Sequence, residues 1–325
     1  MNKIFEKSLE QQKDGLTLQA HKSLTKIPDW IKINYPEFAN LEYFVAEGGN
    51  CTPVVVIPDK IAIKLLIDKR KNKLGASNSI LQNYIQLQKF GVDLRPLGLL
   101  KIKKKDPILD CSIVIASCAS GDSTDESFYL ATKQERIEMT RQIVSTLKAF
   151  HVSVNATIST GEVIDTAYNR ALSYKKDLPT EIWAKLEEMK NNLVPKKIKN
   201  PVIVHRDIHT GNTFWDPKTK KISFIDLDRT CLGLPFYDLS TMFLMYQFPY
   251  TNLRPSLRNP NQEPLTESWA ELLRLYPELV DPKFNDENKF MSAAKLCYAI
   301  TISDSTLQAQ KMFWKVVNSK DMYLN

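Results

Sequence analysis

The sequence predicts an α+β protein that has a small antiparallel β-sheet lobe with one helix and a larger helical lobe. Strand-like apolar runs crowd residues 41–116, whereas helical apolar spacing dominates the second half of the chain. The stretch Ala119–Ser123, built from Ala, Ser, Gly and Asp, separates the two patterns. We therefore expect a first domain over residues 1–116, an N-terminal extension plus the β-rich lobe. A hinge and the helical lobe follow over residues 117–325.

The first domain begins with a polar extension, residues 1–40, which we expect to be helical and to pack on the main fold. Runs rich in β-branched residues then predict strands at 41–46, 53–57, 60–66, 97–102 and 111–116. Residues 78–90 carry apolar side chains at helical spacing, and Gly91 follows as a C-terminal cap. This order predicts a small antiparallel sheet interrupted by a single helix.

The second domain is predicted to be mostly helical. Residues 136–151 place Ile, Val, Leu and Phe at helical spacing, which predicts a buried helix. Helical patterns continue at 164–178 and 180–193, and strand patterns are confined to 202–204, 213–216 and 222–225. The last two strands are separated by a Pro-Lys-Thr-Lys-Lys turn, so we expect them to form a hairpin.

Composition narrows the class of protein. The five cysteines are scattered and never spaced as CxxC, which argues against a disulfide framework or a zinc site and favours a reducing, cytoplasmic location. No apolar run is long enough to cross a bilayer, and the polar N-terminus lacks the core of a secretory signal. The net charge is +7, but its basic runs are short and free of aromatic residues, so we expect no nucleic-acid partner.

The segment after residue 201 carries the chemistry. An apolar strand runs into a polar loop that holds Asp207 and Asn212, and the predicted hairpin follows. Because a hairpin returns to the level at which it starts, Asp226 is expected to lie beside Asn212. Mg²⁺ prefers such hard oxygen ligands, together with phosphate oxygens and water. Phosphoryl transfer needs this metal and a carboxylate, here Asp207, that orients an acceptor hydroxyl and takes its proton.

These residues also carry a resemblance. His205-Arg-Asp-x-x-x-x-Asn212 followed by Ile-Asp-Leu-Asp228 resembles the catalytic and metal-binding loops of the protein-kinase-like superfamily. With its second histidine and its glycine, the loop is more similar to the aminoglycoside phosphotransferase and choline kinase branch. The segment Gly233-Leu-Pro-Phe-Tyr-Asp238-Leu is similar to that branch's Gly-Asp-Pro-x-x-Asp-Leu. The resemblance implies a kinase-like two-lobed fold and transfer of the γ-phosphate of ATP, with GTP as the alternative donor, to an alcohol.

The resemblance also implies roles for individual residues. Asp207 is expected to be the catalytic base, and Mg²⁺ is expected on Asn212 and Asp226, with Asp228 as a further ligand. The nucleotide is expected to contact a set of residues in the first domain and the hinge: Lys64 on the α- and β-phosphates, the Gly48-Gly49 loop on the phosphates, and Ile115 to Cys118 on the adenine. Three further side chains are expected to support the catalytic loop: His205, His209 and Asp238.

Some positions depart from the family's pattern. The predicted helix at 78–88 has no acid to pair with Lys64, which leaves Asp68 or Glu47 as substitutes or a weakened site. Three hypotheses therefore remain: a small-molecule kinase, a protein Ser/Thr kinase suggested by Arg206, and a nucleotide-binding pseudokinase scaffold. The acceptor stays open between aminoglycoside, choline and sugar-like compounds. A group of acids is interpreted as a negative wall for a cationic acceptor: Glu263, Glu267, Glu271, Glu278 and Asp281.

Overall fold

The chain divides into two compact units, Met1–Ser120 and Gly121–Asn325. The computed structural model describes residues 2–47, 52–69, 76–91, 95, 98–173, 178–247, 263–302 and 306–319. The first unit contains an antiparallel sheet and helices, and the second is dominated by helices. The predicted α+β plan, with a β-rich part followed by a helical part, is confirmed.

A five-stranded antiparallel sheet organises the first unit, in the order β1-β2-β3-β5-β4. Its strands are β1 (Phe44–Val45), β2 (Val54–Ile57), β3 (Ile61–Leu66), β4 (Leu99–Asp106) and β5 (Cys111–Ser117). Strands β1, β2 and β3 lie inside the predicted ranges, and β4 and β5 overlap theirs and extend beyond them. Strand β3 occupies the centre, where burial alternates along Ile61–Leu66 because one face of the sheet is covered and the other is more open.

The helices of this unit are α1 (Lys3–Gln12), α2 (Leu18–Leu24), α3 (Ile27–Asn34) and α4 (Ala76–Lys89). The first three confirm the helical extension, and they share one apolar core with the sheet. Trp30 and Ile31 of α3 are buried in the same cluster as Ile57 and Ile63 of the sheet. The extension therefore supplies one wall of the core that keeps β3 in place.

Asp106, at the end of β4, is buried and accepts several hydrogen bonds within this unit. Its carboxylate accepts hydrogen bonds from Trp30 Nε1 at 2.8 Å and Lys103 Nζ at 2.7 Å. It also accepts the backbone N–H groups of Ile108 and Leu109. Burial alone would raise the pKa of Asp106, but these donors together hold its pKa below the ordinary value. The carboxylate thus joins α3 to the β4–β5 turn.

The second unit is built around α9 (Phe236–Gln247), all of whose residues are buried. The other helices are α5 (Thr124–Leu130), α6 (Lys133–Phe150), α7 (Thr160–Leu172), α8 (Thr180–Asn192), α10 (Thr266–Leu275), α11 (Asn285–Ile302) and α12 (Thr306–Asn318). Helix α9 contacts α10 and α11, and α11 in turn packs on α7, α8 and α12. None of the described helices is both long and apolar enough to cross a membrane.

Short strands hold the loops of the second unit. β10 (Thr213–Asp216) and β11 (Lys221–Phe224) form the predicted hairpin, and β9 (Val202–Val204) also lies where predicted. Four strands were not predicted: β6 (Asp122–Ser123), β7 (Thr157–Ser159), β8 (Lys197–Lys199) and β12 (Cys231–Gly233). These four strands are too short to show an alternation of apolar and polar residues, and the strands with which they pair lie far away in sequence.

We expect Asp106→Ala to lower the free energy of unfolding by about 2–4 kcal/mol, because it leaves buried donors such as the Trp30 indole without an acceptor. Urea unfolding followed by tryptophan fluorescence measures the change. Asp29→Ala is the matched control, since Asp29 is exposed and only 3.9 Å from Lys32 in an exposed pair, and it should change stability by less than about 0.5 kcal/mol. Equal losses in the two variants would contradict the role of Asp106.

Candidate active site

The β10–β11 hairpin sets the positions of two of the predicted ligands. Strand β9 ends at Val204, the chain crosses a loop that closes as a short 3-10 helix at Thr210–Asn212, and β10 begins directly after it. Ile225 N donates to Asn212 O at 2.9 Å, so the strand pairing extends one step beyond Thr213 and Phe224. Asp226 follows at once, with a φ of 61° in the left-handed region. The expected proximity of Asn212 and Asp226 along the hairpin backbone is observed.

Asp207 lies in the loop between β9 and the hairpin and is largely buried. Asn212 Nδ2 donates to Asp207 O at 3.0 Å and lies 3.5 Å from Asp207 Oδ2. The loop therefore folds back on itself and brings the predicted base against one of the predicted metal ligands. Because the Asn212 amide nitrogen is used in this way, the amide presents its oxygen as the remaining acceptor.

Asp238, at the start of α9, fixes the entrance of this loop and is fully buried. Its Oδ2 accepts from His205 N at 2.8 Å, and its Oδ1 accepts from Arg206 N. Oδ2 also accepts from His151 Nε2 at 3.0 Å, and His151 Nδ1 accepts from the Tyr276 hydroxyl at 2.9 Å. Burial alone would raise the pKa of Asp238, but the hydrogen bond from His151 and those from the loop backbone hold this pKa below its ordinary value.

The two loop histidines also contact the backbone of the loop. His205 Nε2 donates to Ile225 O at 2.9 Å, while His205 Nδ1 accepts from Asp207 N at 3.3 Å, so this ring bridges the loop and the hairpin. His209 caps the short 3-10 helix, because its Nδ1 accepts from Gly211 N at 3.0 Å. Burial lowers the pKa of His209, although Asp207 and Asp125 oppose that effect.

Three cations that sequence reasoning did not single out surround Asp207. Arg229 Nη1 donates to Asp207 Oδ1, and Lys295 Nζ lies 3.4 Å from the same oxygen. Arg170 adds positive charge from α7. Burial alone would raise the pKa of Asp207, but Lys295, Arg229, His209 and Arg170 hold it far below the usual range. The Asp207 carboxylate is therefore ionised at neutral pH.

Lys295, on α11, is itself shifted. It donates to Arg206 O at 2.7 Å, and its side chain is 15% exposed. Burial lowers the pKa of Lys295 to about 7, against the attraction of Asp207. Nothing in the sequence marks this lysine, because it lies on a helix nearly ninety residues after the loop and follows no motif. The tertiary packing of α11 places it there.

The donor set of the loop and hairpin fits Mg²⁺ by its chemistry. Asn212, Asp226 and Asp228 carry hard oxygen donors on one short stretch of chain, and the Asn212 amide directs its nitrogen to Asp207 O. Among the described residues, no three His, Cys, Asp or Glu side chains cluster closely enough to form a metal site of their own. Mg²⁺ commonly uses one or two carboxylates and completes its coordination with phosphate and water.

The predicted nucleotide-binding residues of the first unit have these positions. Lys64 is half-buried in β3, opposite Val54 and Val114. Ile115 lies in β5, and Cys118 N donates to Lys60 O at 3.2 Å just beyond that strand. Gly48 and Gly49 lie outside the described residues.

Asp68, one substitute considered as partner of Lys64, accepts from Ser77 N at 2.9 Å at the start of α4. The side-chain contacts of Asp68 therefore include the α4 terminus.

The interpretation of a negative wall is wrong for two of its five acids. Glu267 Oε1 accepts from Lys133 Nζ at 2.6 Å. Glu271 accepts from both Arg141 and Arg274 at 2.8 Å, and these two guanidinium groups lower the pKa of Glu271 to about 2. Each acid is thus matched by a cation of the chain, which the linear sequence could not show because Lys133 and Arg141 belong to a different helix.

Comparison with known proteins agrees with the fold and with the loop. Residues 126–277 match the family model described as the phosphotransferase enzyme family. A probable choline kinase 2 from Arabidopsis thaliana is 27% identical over 103 residues, which cover 30% of this chain and 29% of that protein. The chain thus spans less than a third of the length of this curated relative. The match to this family model and to a choline kinase confirms the predicted resemblance over this part of the chain.

Solved structures are similar over nearly the whole chain. Aminoglycoside phosphotransferase APH(4)-Ia, solved with AMP-PNP and hygromycin B, has a TM-score of 0.56 at 12% identity, covering 91% of this chain and 99% of that one. A putative aminoglycoside phosphotransferase from Ralstonia eutropha has a TM-score of 0.54 at 14% identity, with 90% and 97% covered. A choline kinase from Streptococcus pneumoniae has a TM-score of 0.50 at 12% identity, with 89% and 98% covered. At these identities the likeness confirms the kinase-like fold.

We expect Asp238→Asn to lower the free energy of unfolding at neutral pH by about 3 kcal/mol, because an amide cannot accept all the donors that meet this buried carboxylate. A carboxylate with a depressed folded-state pKa stabilises the fold above its unfolded pKa of about 4, and this stability is lost as the pH falls through the lower folded value. The wild type should therefore lose more stability than Asp238→Asn on acidification.

Urea unfolding between neutral pH and about pH 3 measures both effects. Asp165→Asn is the matched control, since Asp165 is exposed and pairs with Lys190 at 3.0 Å. An Asp238→Asn protein that is as stable as this control, and whose stability depends on pH as in the wild type, would refute the role of Asp238 in supporting the loop.

Proposed function

We propose, from the match of residues 126–277 to the phosphotransferase enzyme family, that this chain is a kinase that transfers the γ-phosphoryl group of ATP to a hydroxyl of a small molecule. The observation that carries the proposal is the contact between Asp207 and Asn212 at the head of a hairpin that continues into Asp226. Two similar structures were solved with AMP-PNP and with GDP, so GTP is the alternative donor.

Asp207 has the properties needed to orient an acceptor. Its carboxylate is ionised, so it accepts a hydrogen bond from an incoming hydroxyl. Its low pKa makes it a weak base, so we expect the proton to move to Asp207 late, as the new bond to phosphorus forms. This order suits a loose transition state in which positioning and charge neutralisation matter more than full deprotonation of the nucleophile.

Mg²⁺ would be held by Asn212 and Asp226, with Asp228 as a further ligand, and when bound it neutralises charge on the phosphates. The hydrogen bond from Ile225 N to Asn212 O supports this assignment, because it fixes where Asp226 follows in the hairpin. The left-handed conformation of Asp226 then turns the chain into the 3-10 helix Leu227–Arg229.

We assign the nucleotide to residues of the first unit on the basis of the family resemblance. Lys64 would contact the α- and β-phosphates, with Gly48 and Gly49 on the same phosphates. Ile115 and Cys118 would hold the adenine through backbone groups near the end of β5.

A protein kinase is a weaker candidate. The short segment from Asp226 to Asp238 is occupied by a 3-10 helix, by β12 paired with β9, and by the start of α9. Such a segment leaves little chain for a loop that docks a peptide. A pseudokinase would tolerate loss of the base, yet the loop retains Asp207 with Asn212 in hydrogen-bond contact.

Asp207→Asn is expected to reduce phosphoryl transfer by a factor on the order of 10²–10⁴ while Mg·AMP-PNP still binds. The substitution removes only the carboxylate that accepts the hydrogen bond and the proton of the substrate hydroxyl. Consumption of ATP with a panel of hydroxyl compounds measures transfer, and calorimetry measures binding. Asp165→Asn serves as the control for the same change of charge. Wild-type rates in a folded Asp207→Asn protein would rule out this base.

Mg²⁺ is expected to increase the affinity for the nucleotide, and Asp226→Asn is expected to reduce this increase at least tenfold. The reason is that a neutral amide binds the cation less well than a carboxylate. Calorimetric titrations of AMP-PNP with and without Mg²⁺ give this ratio independently of turnover. The metal assignment is wrong if the ratio in Asp226→Asn equals that of the wild type and of Asp165→Asn.

A further inference from the structure

The cations around Asp207 come from three separate parts of the second unit. Arg170 lies on α7, Arg229 ends the short helix after the hairpin, and Lys295 lies on α11. The Arg170 guanidinium lies 4.3 Å from the centroid of the Tyr298 ring, and that of Arg229 lies 6.0 Å from the same centroid. Tyr298 thus holds two guanidinium groups at one place, next to the carboxylate that Arg229 contacts.

The positive charge here exceeds what Asp207 alone can balance. Arg229 and Lys295 share the same oxygen, Oδ1, of one carboxylate. The Tyr298 ring also brings the guanidinium groups of Arg170 and Arg229 close to each other. The carboxylates that follow the hairpin, Asp226 and Asp228, are assigned to Mg²⁺, whose own charge offsets theirs.

Cations in such surplus, with side chains mostly withdrawn from water, favour an anion as their partner. The exposed fractions are 32% for Arg229 and 15% for Lys295. Removing charge from water is costly unless an opposite charge is bound, and planar guanidinium groups match carboxylate and phosphate geometry. A cationic acceptor would meet like charges at this place and be disfavoured.

We propose that the acceptor is an anion, a small hydroxyl compound bearing a carboxylate or a phosphate, whose negative group is bound by Arg170, Arg229 and Lys295. This inference rests on the proposed function, which puts the acceptor hydroxyl at Asp207. The three cations surround Asp207, so a negative group that they bind lies within the reach of a small molecule whose hydroxyl meets that carboxylate. Choline and aminoglycosides, which are cations, do not fit this surrounding.

The experiment titrates protein saturated with Mg·AMP-PNP with small hydroxyl compounds that differ in charge. Glycerol, glycerate, glycerol 3-phosphate and choline form one set, and glucose, gluconate, glucose 6-phosphate and glucosamine form another. We expect anionic members to bind at least tenfold more tightly than neutral or cationic ones. Comparison of the carboxylate with the phosphate in each set distinguishes the two kinds of anion.

Arg170→Gln is the principal variant, because Arg170 contributes charge without a described hydrogen bond to Asp207. It should reduce the preference for anions at least fivefold and leave the Kd of Mg·AMP-PNP unchanged. Lys295→Gln provides the same test if Arg170→Gln does not fold. Arg274→Gln is the matched control, since Arg274 is 64% exposed and pairs with Glu271 on the surface.

The outcomes separate the two proposals. Absence of Mg·AMP-PNP binding in the wild type would contradict the proposed function itself. With nucleotide bound, equal affinity for anionic and neutral members would overturn only the anionic acceptor. The anionic acceptor would also be overturned if Arg170→Gln weakened the binding of Mg·AMP-PNP and left the binding of the anionic compounds unchanged. The cations would then bind the phosphates of the nucleotide.

Discussion

The buried carboxylate of Asp238 is the interaction on which the arrangement of the candidate site depends. It gathers backbone donors from His205 and Arg206 and the ring of His151, so that α6, α9 and the loop after β9 meet at one point. A charge without access to water is tolerated only when it is fully hydrogen-bonded, and here nearly every lone pair has a donor. The position of Asp207 in the loop follows from this constraint.

The loop itself is closed by short-range contacts that strengthen one another. His205 bridges to Ile225 of the hairpin, and His209 caps the turn that ends at Asn212. Each contact uses a backbone group that a tight loop would otherwise leave unpaired. The result is that the candidate base and an amide are in contact, with a carboxylate just beyond the end of β11. This arrangement is suited to positioning phosphate and hydroxyl rather than to forming a covalent intermediate.

The electrostatic character of the site comes from outside the loop. Lys295 of α11 contacts Asp207, and Arg170 of α7 adds positive charge, whereas the acids Glu267 and Glu271 are matched by cations elsewhere in the unit. The fold of this chain is similar to those of an aminoglycoside phosphotransferase and a choline kinase. In this chain, positive charge surrounds the candidate base. Because fold and substrate preference are set by different residues, the similarity of the fold leaves the choice of acceptor to these side chains.

The sequence determined the elements with local signals. The alternation in β3, the helical spacing of α6 and the hairpin around Lys218 and Thr219 are visible in short windows, and the spacing from Asp207 to Asn212 carried the chemistry and the family resemblance. The short strands β6, β7, β8 and β12 escaped prediction because their stability comes from partners far along the chain. The tertiary structure alone decided that Lys295 faces Asp207 and that Lys133 neutralises Glu267, since charges distant in sequence become neighbours only when helices pack.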